Sequence, residues 1–142
     1  MPAVPTAILW PAVAMAALTF LVWCRLYYVR IGVMRRERIP AQAVASSAQS
    51  AARLSDTRAS DNFRNLFELP VLFYAALGVA ASTGQAHGAV LSLAWLFVAF
   101  RALHSLIQCS SNRVMHRFTA YLLGALALWA LWTVLACGLL RA

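Results

Sequence analysis

The chain has 142 residues, of which 63% are hydrophobic and only 11% charged, with a formal net charge of +8. A soluble domain carries about 25% charged residues, so a mean hydropathy of +0.72 excludes an ordinary water-soluble fold and points to the bilayer. All twelve basic residues are arginine; lying beside apolar segments and not on a basic arm, they fit anionic headgroups or a small anionic ligand, not nucleic acid.

Residues 7–33 predict a first crossing. The apolar run from Ile8 to Val29 has the roughly 20 residues a span needs. It lacks the basic leader of a signal peptide and is too long for one. Pro5 suits a helix start and Pro11 a kink. Arg25 and Arg30, near the far end, are expected to snorkel toward headgroups.

The connection from Gly32 to Ser60 opens with Arg35-Arg36-Glu37-Arg38. Its Ala-, Ser- and Gln-rich part, Ala41 to Leu54, predicts a short interfacial helix, since a structureless loop of this length is unusual. A second crossing is predicted over 61–81, with Asp61 as cap and a bend at Pro70, which has no N–H to give. Short polar turns follow at Ser82–Gly88 and Ser110–Asn112. They delimit a third crossing over 89–109 and a fourth over 114–140. Cys24, Cys109 and Cys137 are dispersed, with no CxxC, and give neither a disulfide frame nor a metal site. The expectation is an all-α integral membrane bundle of four helices, one domain over 1–142, without internal repeats.

Arginines set the orientation. Arg35, Arg36, Arg38, Arg53, Arg58 and Arg113 lie in the first and third connections, while the middle turn holds no basic residue. The positive-inside rule places both basic connections in the cytoplasm and both termini outside.

That topology gathers polar residues at one end. On a continuous second helix, Arg64, Asn65 and Glu68 share a face. Arg101, His104 and Gln108 step i, i+3, i+7 on the third helix. Arg113, Arg117 and Tyr121 step i, i+4, i+8 on the fourth. Charge within a span costs roughly 2.5–3.5 kcal/mol, so each such group needs a partner or a task. Glu68 cannot pair with Arg64, Arg101, Arg113 and Arg117 together, and the surplus calls for an anion. Singly, each residue has an ordinary use: Glu68 as a staple to Arg64, His104 as an interhelical hydrogen bond, Tyr121 as a packing aromatic. Their convergence on one membrane side favours a site.

Two segments carry a family resemblance. Arg64-Asn65-Leu66-Phe67-Glu68-Leu69-Pro70 is similar to an N-x-x-E motif with a following proline. Arg101-Ala102-Leu103-His104, followed by Arg113, Arg117 and Tyr121, has the spacing of the prostaglandin E synthase type. In both, the chain resembles the MAPEG family, the membrane-associated proteins of eicosanoid and glutathione metabolism. Asp61 and Gln108 depart from the eicosanoid pattern, where an arginine and a tyrosine stand, and Pro70 comes earlier. The form is closer to the bacterial members.

The resemblance implies a homotrimer in the bacterial inner membrane, with glutathione as cosubstrate between subunits. It puts Arg35, Arg64, Asn65, Glu68, His104 and Arg113 on or beside the glutathione. It makes Arg117, with Tyr121, the pair that faces the sulfur. A glutathione-dependent transferase or peroxidase acting on a lipophilic electrophile or hydroperoxide is then expected. The alternative is a non-catalytic protein of the same fold that binds anionic lipid or acts as a scaffold.

Overall fold

In a computed structural model, which describes residues 6–141, every regular element is helical. A 3-10 turn, Thr6–Ile8, leads into α1, Leu9–Arg36. Helices α2, Ser47–Arg53, and α3, Arg58–Asn65, belong to the connection and the start of the second crossing. Helices α4, Leu69–Ser82, α5, Gly88–Cys109, and α6, Val114–Leu139, complete the bundle. Four segments are long and apolar enough to cross a bilayer: Thr6–Arg36, Arg58–Ser82, Gly88–Cys109 and Val114–Leu139. Large side chains such as Trp10, Phe20, Leu21 and Leu122 are exposed on their outer faces. In water such surface would be a liability; in lipid it is the expected exterior. The protein is an all-α membrane bundle.

Helices α5 and α6 pack along each other most extensively, and α4 lies against α6. Between them Phe73 and Phe97 are fully buried and stacked, ring centroids 4.6 Å apart. Ala76, Ala80 and Ala94, also buried, let the helices approach closely around this pair.

The second crossing differs from the single bent helix expected over 61–81. It is interrupted at Leu66–Glu68. There the backbone tightens: the Phe67 N–H donates to the Arg64 carbonyl at 2.9 Å, an i−3 bond, and Pro70 falls in the first turn of α4. Proline has no N–H to lose in a first turn, so a new start is less costly than a kink. The interruption removes the shared face of Arg64 and Glu68. Arg64 instead lies 3.9 Å from Asp61. Asp61 is not the cap; that position is Thr57, whose hydroxyl donates to the Asp61 carboxylate at 3.0 Å.

The first connection is folded. A 3-10 turn, Ala41–Val44, precedes α2, which is closed by a reciprocal capping box between Ser46 and Gln49. The helix expected over 41–54 is thus two short pieces. Arg25 and Arg30 hold protein, not headgroups: Arg25 donates to the Cys109 carbonyl, and Arg30 to the Val44 carbonyl at 2.9 Å and the Ser50 hydroxyl at 3.0 Å. Each satisfies a carbonyl left open at a helix end or turn.

Arg58 clamps the entry to α3. It grips Asp56 through Nε at 2.9 Å and Nη2 at 2.7 Å, and donates to the Ser110 carbonyl at 2.8 Å. The guanidinium holds the Asp56 carboxyl below its usual range. A carboxyl with a depressed folded pKa contributes stability above its unfolded value, and loses it as pH falls through the lowered one. Hydrogen exchange at residues 55–60, corrected for intrinsic rate, is therefore expected to stay constant from neutral pH to about 4 and to rise below. A rise centred near neutral pH would contradict the clamp.

Candidate functional site

The interruption before α4, the last turns of α5 and the first turns of α6 meet at one end of the bundle. They enclose an open groove of about 490 Å³ whose walls include Asn65, Glu68, His104, Arg117 and Tyr121. Five of the eight sequence-predicted site residues therefore converge. Asp61, Gln108, Val114 and Phe118 complete the lining.

The other three do not line this groove. Arg64 faces a separate cavity of about 290 Å³ beneath the first connection. Arg35 and Arg113 are exposed, in the last turn of α1 and at the cap of α6. The groove is consequently not the cationic basin that the arginine count suggests. Two carboxylates, Asp61 and Glu68, line it against one guanidinium, Arg117.

Its floor is a chain of hydrogen bonds. His104 is buried, with Nδ1 3.0 Å from the Arg117 carbonyl and Nε2 2.9 Å from the Gln108 side-chain amide. That amide is 3.2 Å from the amide of Asn65. His104 thereby ties the first turns of α6 to α5, and Gln108 ties α5 to α3. Beside it, buried Asn62 accepts from Ser105 at 3.1 Å and donates to the Cys109 sulfur at 3.4 Å.

Arg101 lies behind this floor, only 1% exposed. Its guanidinium carbon sits 4.9 Å from the Tyr121 ring centroid and 5.6 Å from that of Phe97. Nη2 donates to the Asn65 carbonyl at 3.3 Å, while among the described residues Nε and Nη1 meet no acceptor. The sequence calls for an anion at Arg101; aromatic faces and one carbonyl stand there instead. Stacked so, Arg101 fixes the plane of Tyr121, whose other neighbour is the His104 ring at 5.7 Å.

Arg117 is half-buried, and its Nη1 donates to the Asn112 side chain at 2.9 Å. Asn112 adopts a positive φ of 49° in the turn before α6, a conformation asparagine tolerates better than most residues. One residue therefore both makes the turn and aims the guanidinium.

Over residues 8–137 the chain matches the profile of the MAPEG family. It belongs to that family. No curated protein matches it significantly, and neither does any solved structure. In this MAPEG chain the sequence signal for Gln108 was its place on the Arg101–His104 face; its part in joining three helices needed the fold. Asn112 carried no signal beyond a short polar turn.

Asn112 separates turn from aim. Asn112→Gly preserves the positive φ but releases Arg117; it is expected to leave the melting temperature nearly unchanged. Asn112→Ala releases Arg117 and strains the turn as well, at a cost of about 1 kcal/mol. Thermal unfolding of the two variants in detergent checks this; equal losses would place the role elsewhere.

Proposed function

We propose that this MAPEG protein is a membrane-embedded, glutathione-dependent transferase or peroxidase acting on lipophilic electrophiles or hydroperoxides. The observation that carries the reading is the convergence of Asn65, Glu68, His104, Arg117 and Tyr121 on one groove at one end of the bundle. The residue types fit the ligand. Glu68 is exposed in the groove and suits an ammonium; the Asn65 amide suits a peptide; Arg117 suits a thiolate.

Glutathione would supply the sulfur that displaces a leaving group from the electrophile, or that reduces a hydroperoxide to alcohol and water as two thiols become a disulfide. The chain's own residues prepare that sulfur. A free thiol has a pKa near 8.5, and a fixed guanidinium lowers it by favouring thiolate. Arg117, held by Asn112, is that cation. Tyr121, one turn on, would donate a second hydrogen bond. The apolar flank at Val114 and Phe118 suits a substrate arriving from the bilayer.

We place this end of the bundle on the cytoplasmic face of a bacterial inner membrane, where the arginine-rich connections support it. A homotrimer fits the open side of the groove: a neighbouring copy would close it and could bring its exposed Arg35 to a carboxylate.

One observation favours a second reading. Arg35, Arg38, Arg53 and Arg113 are exposed at the same end, and among the described residues no acid pairs with them. They suit anionic lipid, and a non-catalytic protein would need nothing more. Turnover in proteoliposomes decides between them. Thiol-dependent consumption of an aryl halide or a lipid hydroperoxide supports the enzyme. No turnover with either class, together with copurifying anionic lipid, supports the binding protein.

A further inference from the structure

Hydrogen bonds along the groove floor have a direction, and the fold dictates it. A backbone carbonyl only accepts, so His104 Nδ1, 3.0 Å from the Arg117 carbonyl, carries the ring proton. A second proton on Nε2 would make a cation packed on the same Tyr121 ring as the Arg101 guanidinium. Among the described residues no ion pair reaches either side chain, and uncompensated buried charge is costly. The imidazole is neutral, and Nε2 is an acceptor.

Its neighbour at 2.9 Å is the Gln108 amide. The oxygen and nitrogen of an amide have nearly the same shape, and the surrounding network decides which faces which. An acceptor at Nε2 requires the Gln108 nitrogen. With the Gln108 oxygen at this point, both Nε2 and the Asn65 amide nitrogen would have to donate to it; the Gln108 nitrogen in its place, 3.2 Å from the Asn65 amide, turns that amide over as well and requires the Asn65 oxygen. Asn65 then turns its N–H groups away from Gln108, on the groove wall.

We propose that Gln108 is a positioning residue: through His104 it takes its direction from the Arg117 carbonyl, and it fixes Asn65 as a hydrogen-bond donor toward the ligand. This deepens the proposed function and rests on it for the ligand's identity. Asn65 then takes a carboxylate or peptide carbonyl, and Glu68, an acceptor three residues on, takes the ammonium. The groove selects an aminoacyl thiol, one with a carbonyl near its amine, over a simple aminothiol such as cysteamine.

Two measurements test it. Nitrogen NMR of the micelle-bound protein, with isotope-labelled histidine and His104 assigned by its loss in His104→Asn, reads the tautomer without any ligand. The proton is expected on Nδ1; a proton on Nε2 at neutral pH, alone or with Nδ1, overturns the proposal. The second measurement is calorimetry of glutathione binding. Asn65→Asp keeps the shape and replaces donor by acceptor, and should weaken binding at least about tenfold. Gln108→Met fills the space without an amide and should weaken it similarly, with the preference for glutathione over cysteamine lost. Undiminished binding by Asn65→Asp overturns the proposal. If the unaltered protein binds no thiol, the proposed function falls, and the tautomer alone decides this inference.

Discussion

Replacing Arg117 with alanine is expected to lower thiol-dependent turnover at least about 100-fold, the scale on which a fixed electrostatic contact to a developing or stabilised anion acts. The loss should fall on thiolate formation. Among the described residues Arg117 is the one guanidinium lining the groove, and Asn112 aims it. The fold should survive, because the bond that joins α5 to α6 here uses the Arg117 backbone carbonyl, not its side chain. Arg117→Lys keeps a charge but shortens the reach and loses the fork, so partial activity is expected, with the residual rate rising with pH as free thiolate accumulates. Steady-state rates between neutral and alkaline pH check this. Unchanged turnover in Arg117→Ala would remove Arg117 from the chemistry.

Phe97→Ala should be the most damaging change in the core. Phe97 is fully buried, stacks on Phe73 at 4.6 Å, and lies 5.6 Å from the Arg101 guanidinium. Truncating such a phenylalanine costs about 3–5 kcal/mol, because the surrounding helices close the cavity only in part. Arg101 would also lose one of its two aromatic faces, leaving a poorly compensated cation deeper in the bundle. Phe97→Leu should cost less than half as much. Reversible unfolding in mixed detergent measures both. A loss below about 1 kcal/mol for Phe97→Ala would mean that the stack is not a structural centre.

How much of this was legible in the sequence depends on the range of the interaction. Four apolar runs and two short turns set the crossings, because span length and backbone satisfaction in lipid are local demands. The convergence of Asn65, Glu68, His104, Arg117 and Tyr121 was also legible, since helical spacing and alternating topology bring those ends together. The interruption at Leu66–Glu68 was not. Pro70 announces a fault, but whether the helix bends or restarts depends on how Leu66, buried at 3% exposure, packs against its neighbours. That choice moved Arg64 off the groove and left Glu68 without it.

Arg25 and Arg58 show the same limit. Arg25 reaches a carbonyl 84 residues away and Arg58 one 52 residues away. No spacing rule encodes either contact, so in the sequence Arg25 reads as snorkelling toward headgroups and Arg58 as one of the cytoplasmic charges. Arg101 is the opposite case. Its depth in the third helix was visible, and with it the need for a partner, but the partners proved to be two aromatic faces and the Asn65 carbonyl. Gln108 had the right helical face and no obvious chemistry; its meaning lies in what His104 and Asn65 require of it.

The most direct measurement is calorimetry of glutathione with the detergent-purified protein, with the ultraviolet absorbance of the thiolate followed in the same sample. Binding accompanied by a rise in thiolate absorbance at neutral pH is the predicted result. Absence of binding at millimolar thiol would contradict the account: it would leave the membrane bundle and its family standing, and remove glutathione from the groove.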